Sequence, residues 1–284
     1  MSSITAAEDS EEYNLFWKRL ASGVVLLAAA VAFLYIGGTP LLLVLCAISL
    51  IGQNELYRAI GIDHKGLSMI GYLMTIVYYM LVFFEGRGYM AAMIVFTLII
   101  LMTAYVSTFP EYKTEEVSGA FFGMCYVSVL MSYVYLTRQL NDGLFMVWLI
   151  LLSSWGSDTL AYCTGMLFGE HHMVPRLSPK KTWEGAAGGV AGAAILGFIY
   201  GFVFRNHMPD TISPAMTCCI ACAAGAVISM IGDLAASAIK RNHSIKDFGN
   251  LIPGHGGVLD RFDSMLFTAP AIYYAVTMLE HFHR

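Results

Sequence analysis

Four aspartates, Asp158, Asp233, Asp260 and Asp263, stand where a carboxylate is either costly or close to another acid. Asp158 interrupts an apolar run in Ser157-Asp158-Thr159, where an ionised acid is unfavourable unless it faces protein, water or a cation. Asp233 ends another such run, and along a helix Ser237, Lys240 and Arg241 follow it at i+4, i+7 and i+8. A carboxylate, a hydroxyl and two cations then share a face. Asp260 and Asp263 are spaced i, i+3, so at the start of a helix they project from one side. With Asp233 joining from a second helix, they suit a hard divalent cation such as Mg2+, which takes oxygen ligands and keeps phosphate oxygens in its shell. Basic groups beside acids that do not simply cancel them point to phosphate, metal and carboxylate stacked together.

Between these acids run Lys246-Asp247-Phe248-Gly249 and Pro253-Gly254-His255-Gly256-Gly257. Its glycines permit positive φ and let backbone N–H groups approach an anion. A second polar stretch reads Gly169-Glu170-His171-His172, then Pro175-Arg176-Leu177-Ser178-Pro179-Lys180-Lys181-Thr182-Trp183-Glu184. Ser178 and Pro179 predict a turn or a helix start. Lys180 and Lys181 could hold phosphate, or anchor the chain at a membrane surface with Trp183 as an interfacial ring. His171-His172 reads as a solvated loop, since softer metals need more ligands nearby. Cys218-Cys219-x-x-Cys222 lies inside an apolar run without a matching second half, so it reads as small-residue helix packing. Glu55, near the end of another run, could be structural or could line the site.

The elements that must position these residues are set by composition. Of 284 residues, 57% are hydrophobic and 13% charged, against about 25% charged in soluble domains. A mean hydropathy of +0.65 and repeated apolar runs of about 20 residues predict an all-α polytopic membrane bundle with about nine transmembrane helices. They are expected at 20–36, 41–57, 67–84, 89–108, 117–137, 144–168, 185–204, 213–232 and 264–280. Secreted, disordered and DNA-binding classes are excluded, and no nucleic-acid partner is expected. The cysteines frame no disulfide scaffold. An acidic start with Glu8, Asp9, Glu11 and Glu12 predicts no cleaved signal peptide.

Lys and Arg fall unevenly across these spans. One side would hold Arg87, Arg138, Arg205 and Arg284, and the other all the rest of the sixteen. Basic loops are retained in the cytoplasm, which places the N-terminus and the long loops 169–184 and 233–263 there, in the cell membrane, with the C-terminus outside. The organisation expected is an acidic tail over 1–19, N-terminal membrane helices over 20–137 and a C-terminal catalytic region over 138–284.

The pattern Ser237-x-x-Lys240-Arg241-x4-Lys246-Asp247-x-Gly249-x3-Pro253-Gly254-His255-Gly256-Gly257-x-x-Asp260-Arg261-x-Asp263 resembles the signature of the phosphatidate cytidylyltransferase family, also called CDP-diacylglycerol synthase. The resemblance extends to Ser157-Asp158-Thr159, Phe168-Gly169 and Ser178-Pro179-x-Lys181-Thr182, and in the N-terminal half to Glu55-Leu56-Tyr57-Arg58 and hydropathy. Glu170-His171-His172 departs from it where relatives often carry lysines, which bears on a phosphate contact there and leaves the chemistry intact.

The resemblance implies CMP transfer from CTP to phosphatidic acid, releasing pyrophosphate and leaving CDP-diacylglycerol, for phospholipid biosynthesis. It places one or two Mg2+ ions on Asp233 and Asp260, with Asp158 and Asp263 assisting. Lys240 and Arg241 would hold the lipid phosphate or the α-phosphate. Ser178, Lys180, Lys181, Thr182, Ser237, Lys246, His255, Gly256, Gly257 and Arg261 would surround the substrates. A homodimer is also implied. A lipid or polyprenol kinase, or an ion-coupled transporter, are the rival readings. The transporter would show broken helices and internal symmetry, which the sequence does not.

Overall fold

A computed structural model describes residues 23–209, 211, 213–252, 254 and 256–282. Within them the chain is almost wholly helical, because a backbone crossing hydrocarbon must satisfy its own hydrogen bonds. The helices are α1 (Gly23–Ile36), α2 (Gly38–Ala59), α3 (Gly66–Phe83), α4 (Met90–Ser107), α5 (Thr114–Arg138), α6 (Gly143–Phe168), α7 (Trp183–Val203), α8 (Pro214–Asn242) and α9 (Leu259–Phe282). Among the described residues seven of them, α2 to α8, are long and apolar enough to cross a membrane. The described part of α1 is shorter, and α9 opens with Asp260, Arg261 and Asp263. The membrane bundle expected from composition is the architecture found.

Core residues come from both halves of the sequence: Leu45 and Leu56 of α2, Met124 and Met131 of α5, Leu149 and Ile150 of α6, Ala226 of α8, and Leu266 and Ile272 of α9. The register of α2 is set by buried polar pairs. Gln53 Nε2 donates to the Tyr57 hydroxyl at 2.6 Å, which donates to the Ala120 carbonyl at 2.6 Å, and Thr75 Oγ1 donates to Gln53 Oε1 at 2.8 Å. Satisfied polar groups of this kind lock one helix rotation, since any other leaves them unpaired in an apolar core. That rotation also aims Glu55. α5 and α6 each widen into a π-helical turn, over Met124–Val129 and Leu152–Gly156.

Three expectations about local structure are corrected. Ser178 and Pro179 begin a strand, not a turn or a helix: β2 (Ser178–Thr182) pairs antiparallel with β1 (His172–Val174), so the long loop is a hairpin. Helix α8 runs to Asn242 where hydropathy stops at Gly232. Leu234-Ala235-Ala236-Ser237-Ala238 favours helix whatever the solvent, and Ala236 and Lys240 are buried. Helix α9 starts at Leu259, ahead of the expected Ser264, because its polar first turn is capped from elsewhere in the chain. All six cysteines are free thiols.

Candidate active site

The site begins where α8 meets α9. A Cβ at Gly232 would lie 3.0 Å from Phe267 Cβ and 3.1 Å from the Asp263 carbonyl oxygen. A side chain there would push the two helices apart by a few tenths of an ångström; the glycine lets them close, with Asp233 beside Asp263. Two turns further along α8, the buried Lys240 donates to Asp260 Oδ1 at 2.9 Å and lies 3.8 Å from Asp263 Oδ2. The Asp260 side chain is 2% exposed, and its other oxygen accepts the Phe248 and Gly257 N–H groups at 2.8 and 3.0 Å.

The first amides of a helix lack intrahelical partners. Here Val258 and Leu259, at the start of α9, donate to the two oxygens of Glu55 from α2, at 2.9 and 2.8 Å. Negative charge at a helix N-terminus also complements its dipole. Glu55 fits because Gly249 and Gly257 make room: a Cβ at either would sit 2.5 Å from a Glu55 carboxylate oxygen. Gly256, at φ +83°, supplies the left-handed backbone that closes the turn. The glycine turn therefore does cradle anions, and the anions are the chain's own Asp260 and Glu55.

The opposite wall is built by α6, α7 and the hairpin. A cavity of about 510 Å3 is lined by Asp158, Lys180, Lys181, Thr182, Met230 and Asp233, among others. Lys181, on β2, is ion-paired with Asp233 on α8. Asp158 stands close enough for its charge to interact with both. It follows directly on the π-helical turn of α6, an irregularity that shifts which residues face inward. The hairpin is tethered by Glu184, which accepts the Glu170 and His171 N–H groups at 3.3 and 3.2 Å and meets His171 Nδ1 at 2.6 Å. Thr182 ends the hairpin and caps α7, its hydroxyl accepting the Gly185 N–H at 3.1 Å. Acids and lysines at the polar end of apolar helices can hold a polyanion against a carboxylate, through the lysines directly or through a cation on the acids.

The cytidylyltransferase family model matches residues 17–279. The chain belongs to the cytidylyltransferase family. The phosphatidate cytidylyltransferase of Bacillus subtilis (strain 168) is 30% identical over 272 residues, covering 92% of this chain and 97% of its own. That of Staphylococcus haemolyticus (strain JCSC1435) is 28% identical over 259 residues, 89% and 96% of the two chains. That of Thermotoga maritima is 35% identical over 171 residues, 60% of this chain and 63% of its own.

In this cytidylyltransferase the residues singled out by spacing fall into two connected groups. Asp158, Asp233, Lys180, Lys181 and Thr182 line the cavity. Lys240, Asp260 and Asp263 form the cluster behind it, joined to it through Asp233. Lys240 and Arg241 do not act as a pair, contrary to the shared face expected. Lys240 turns inward, while Arg241 is exposed and donates to the Ile245 carbonyl at 3.4 Å. Lys246 is exposed, and Ser178, Ser237 and Arg261 are half-buried. The Arg261 Nε is buried without a hydrogen bond. His255 lies outside the described residues. Glu55, left open by the sequence, is structural and bears directly on the site; its signal was an acid embedded in an apolar helix.

Among the described residues no three His, Cys, Asp or Glu side chains converge as a ready metal shell. The donors present are nevertheless those a hard cation takes. Asp158 and Asp233 are carboxylates on the cavity wall, and Mg2+ commonly uses one or two carboxylates and completes its shell with water and substrate phosphate. The buried Tyr126 hydroxyl, within charge range of Asp233 and Asp263, and the Ser229 hydroxyl, one turn before Asp233, have no hydrogen-bond partner.

Proposed function

We propose that this cytidylyltransferase acts on CTP and phosphatidate at the cytoplasmic face of the cell membrane. A phosphate oxygen of phosphatidate attacks the α-phosphorus of CTP, the bond to the β-phosphate's bridging oxygen breaks, and pyrophosphate leaves. The product is CDP-diacylglycerol, which stays in the bilayer. The observation that carries this reading is the Lys181–Asp233 pair, with Asp158, on the wall of a cavity at the polar end of membrane-spanning helices. The names of the relatives supply the substrate.

The attacking phosphate is already an anion near neutral pH, so the protein's task is to position two polyanions and offset their repulsion. Lys181 and Lys180 reach the cavity from the hairpin and would receive the triphosphate. Lys240, aligned by Asp260 and Asp263, would supply fixed positive charge from behind, with Arg261 and Ser237 nearby. Arg241 and Lys246, on the exposed loop side, would raise the local concentration of anionic substrate. One or two Mg2+ ions would be held by Asp233 with Asp158 on the cavity wall, and would neutralise the triphosphate and the departing pyrophosphate; Asp260, expected from the resemblance as a ligand, has both oxygens taken by Lys240 and the Phe248 and Gly257 amides. A homodimer, implied by the resemblance, is tested by light scattering of the protein in detergent.

The test is the fate of labelled CTP. Label from cytidine should become extractable into organic solvent only when phosphatidate and Mg2+ are supplied, with release of pyrophosphate. Formation of a nucleoside diphosphate and a phosphorylated lipid would show a kinase and overturn the reading.

A further inference from the structure

Two of the lysines that face carboxylates are held in different ways. Lys240 is clamped: it donates to Asp260 Oδ1 at 2.9 Å, has Asp263 Oδ2 at 3.8 Å, and its side chain is 11% exposed. Lys181 is ion-paired with the single carboxylate of Asp233, and no hydrogen bond ties its Nζ to a further acceptor. It projects from β2 into the cavity that Asp158 and Asp233 line, so its ammonium stands where those carboxylates would receive a hard cation. Like charges repel at such range, so an ammonium and a metal ion compete for Asp233. The hairpin need not move for one to replace the other. Glu184 tethers it through the Glu170 and His171 amides, Thr182 ends it on the cap of α7, and a lysine carries its charge on a flexible stem. A triphosphate offers that charge more than one carboxylate does, and draws it off Asp233 as the phosphates arrive.

We propose that Lys181 is a stand-in cation, which occupies Asp233 in the absence of nucleotide and yields it to the metal ion that arrives with a nucleoside triphosphate. The inference rests on the function proposed above and adds an order to it: metal alone binds weakly, and metal and nucleotide bind together. While the site waits, Lys181 offsets the repulsion between Asp158 and Asp233, whose charges act on each other. A half-open pair of this kind is closed most of the time without being tight. The carboxylate is then free in a minor fraction of molecules, and the affinity for metal alone falls in proportion to that fraction.

Binding of Mn2+ alone, with no nucleotide present, tests this on the full-length protein in detergent, with the free ion read by electron paramagnetic resonance. Lys181→Met should bind Mn2+ about fivefold more tightly than the wild type, while its turnover falls because the triphosphate has lost its lysine. Lys181→Arg, which keeps the charge, should gain no affinity. Lys181→Gln repeats the measurement if Lys181→Met fails to fold. Adding Asp233→Asn to Lys181→Met should abolish the gain, since the freed carboxylate is what holds the ion. Tighter metal binding together with slower turnover is a split that a lysine needed only for folding does not produce. Equal Mn2+ affinity in the wild type and Lys181→Met, or a gain that survives Asp233→Asn, would overturn the proposal. A wild-type protein that releases no pyrophosphate from CTP with phosphatidate and Mg2+ would instead overturn the function on which it rests.

Discussion

A lysine at 9% exposure is costly to bury without a partner, and Lys240 is paired with Asp260 and Asp263. Removing one partner of such a buried pair costs about 3–5 kcal/mol, so Asp260→Asn should lower both thermal stability and turnover. Asp233 differs: its side chain is 29% exposed and its partner Lys181 25%, and half-open pairs contribute about 0–1 kcal/mol to stability. Lys181→Met and Asp233→Asn should therefore leave the melting temperature in detergent nearly unchanged while lowering kcat by about 100-fold or more, the scale on which electrostatic contacts to a reacting centre act. A melting temperature that fell with activity would place both residues in the fold and outside the chemistry. That these acids and bases would gather was legible from type and spacing. Their division of labour was not, because i+7 and i+8 positions on a bare helix look alike until α9 packs against one of them.

At the level of elements, the turn before α9 and the hairpin before α7 do the positioning. Gly257→Ala places a methyl carbon into the Glu55 carboxylate and should break the cap. Glu55→Ala leaves two buried amides without acceptors, at about 1–3 kcal/mol each. Both should lower the melting temperature, and Glu55→Gln, which retains one acceptor oxygen, should lower it less. Thr182→Val removes the cap of α7 and should cost about 1 kcal/mol, read as a lower unfolding temperature with the hairpin's lysines still in place. The glycines announced a turn near an anion, which the structure has. That the anions would be carboxylates from α2 and α9 depends on a contact between residues 55 and 257, a separation over which periodicity carries no information.

Across the whole molecule, a charged cavity lies between α6, α7 and α8 and an apolar one among α1, α2, α5, α6 and α9. The basic residues of the hairpin and of the end of α8 lie on the side expected to face the cytoplasm. A reporter inserted at Arg176 should be active in the cytoplasm, and one fused after Arg284 should be active only outside. A cytoplasmic signal from Arg284 would reverse the basic-residue count and the orientation drawn from it.

What the sequence determined by itself is the class and the chemistry. Apolar runs long enough to cross a bilayer must be helical, since no solvent there can satisfy their backbone, and aspartates beside lysines and glycines at those intervals narrow the reaction to phosphate chemistry. What only the tertiary structure decided is which charges meet. The inward turn of Lys240 onto Asp260 and Asp263 and the Glu55 cap of α9 arise from packing between segments far apart in the chain. Local hydropathy cannot report them, because each is stabilised by a partner that the neighbouring residues do not supply.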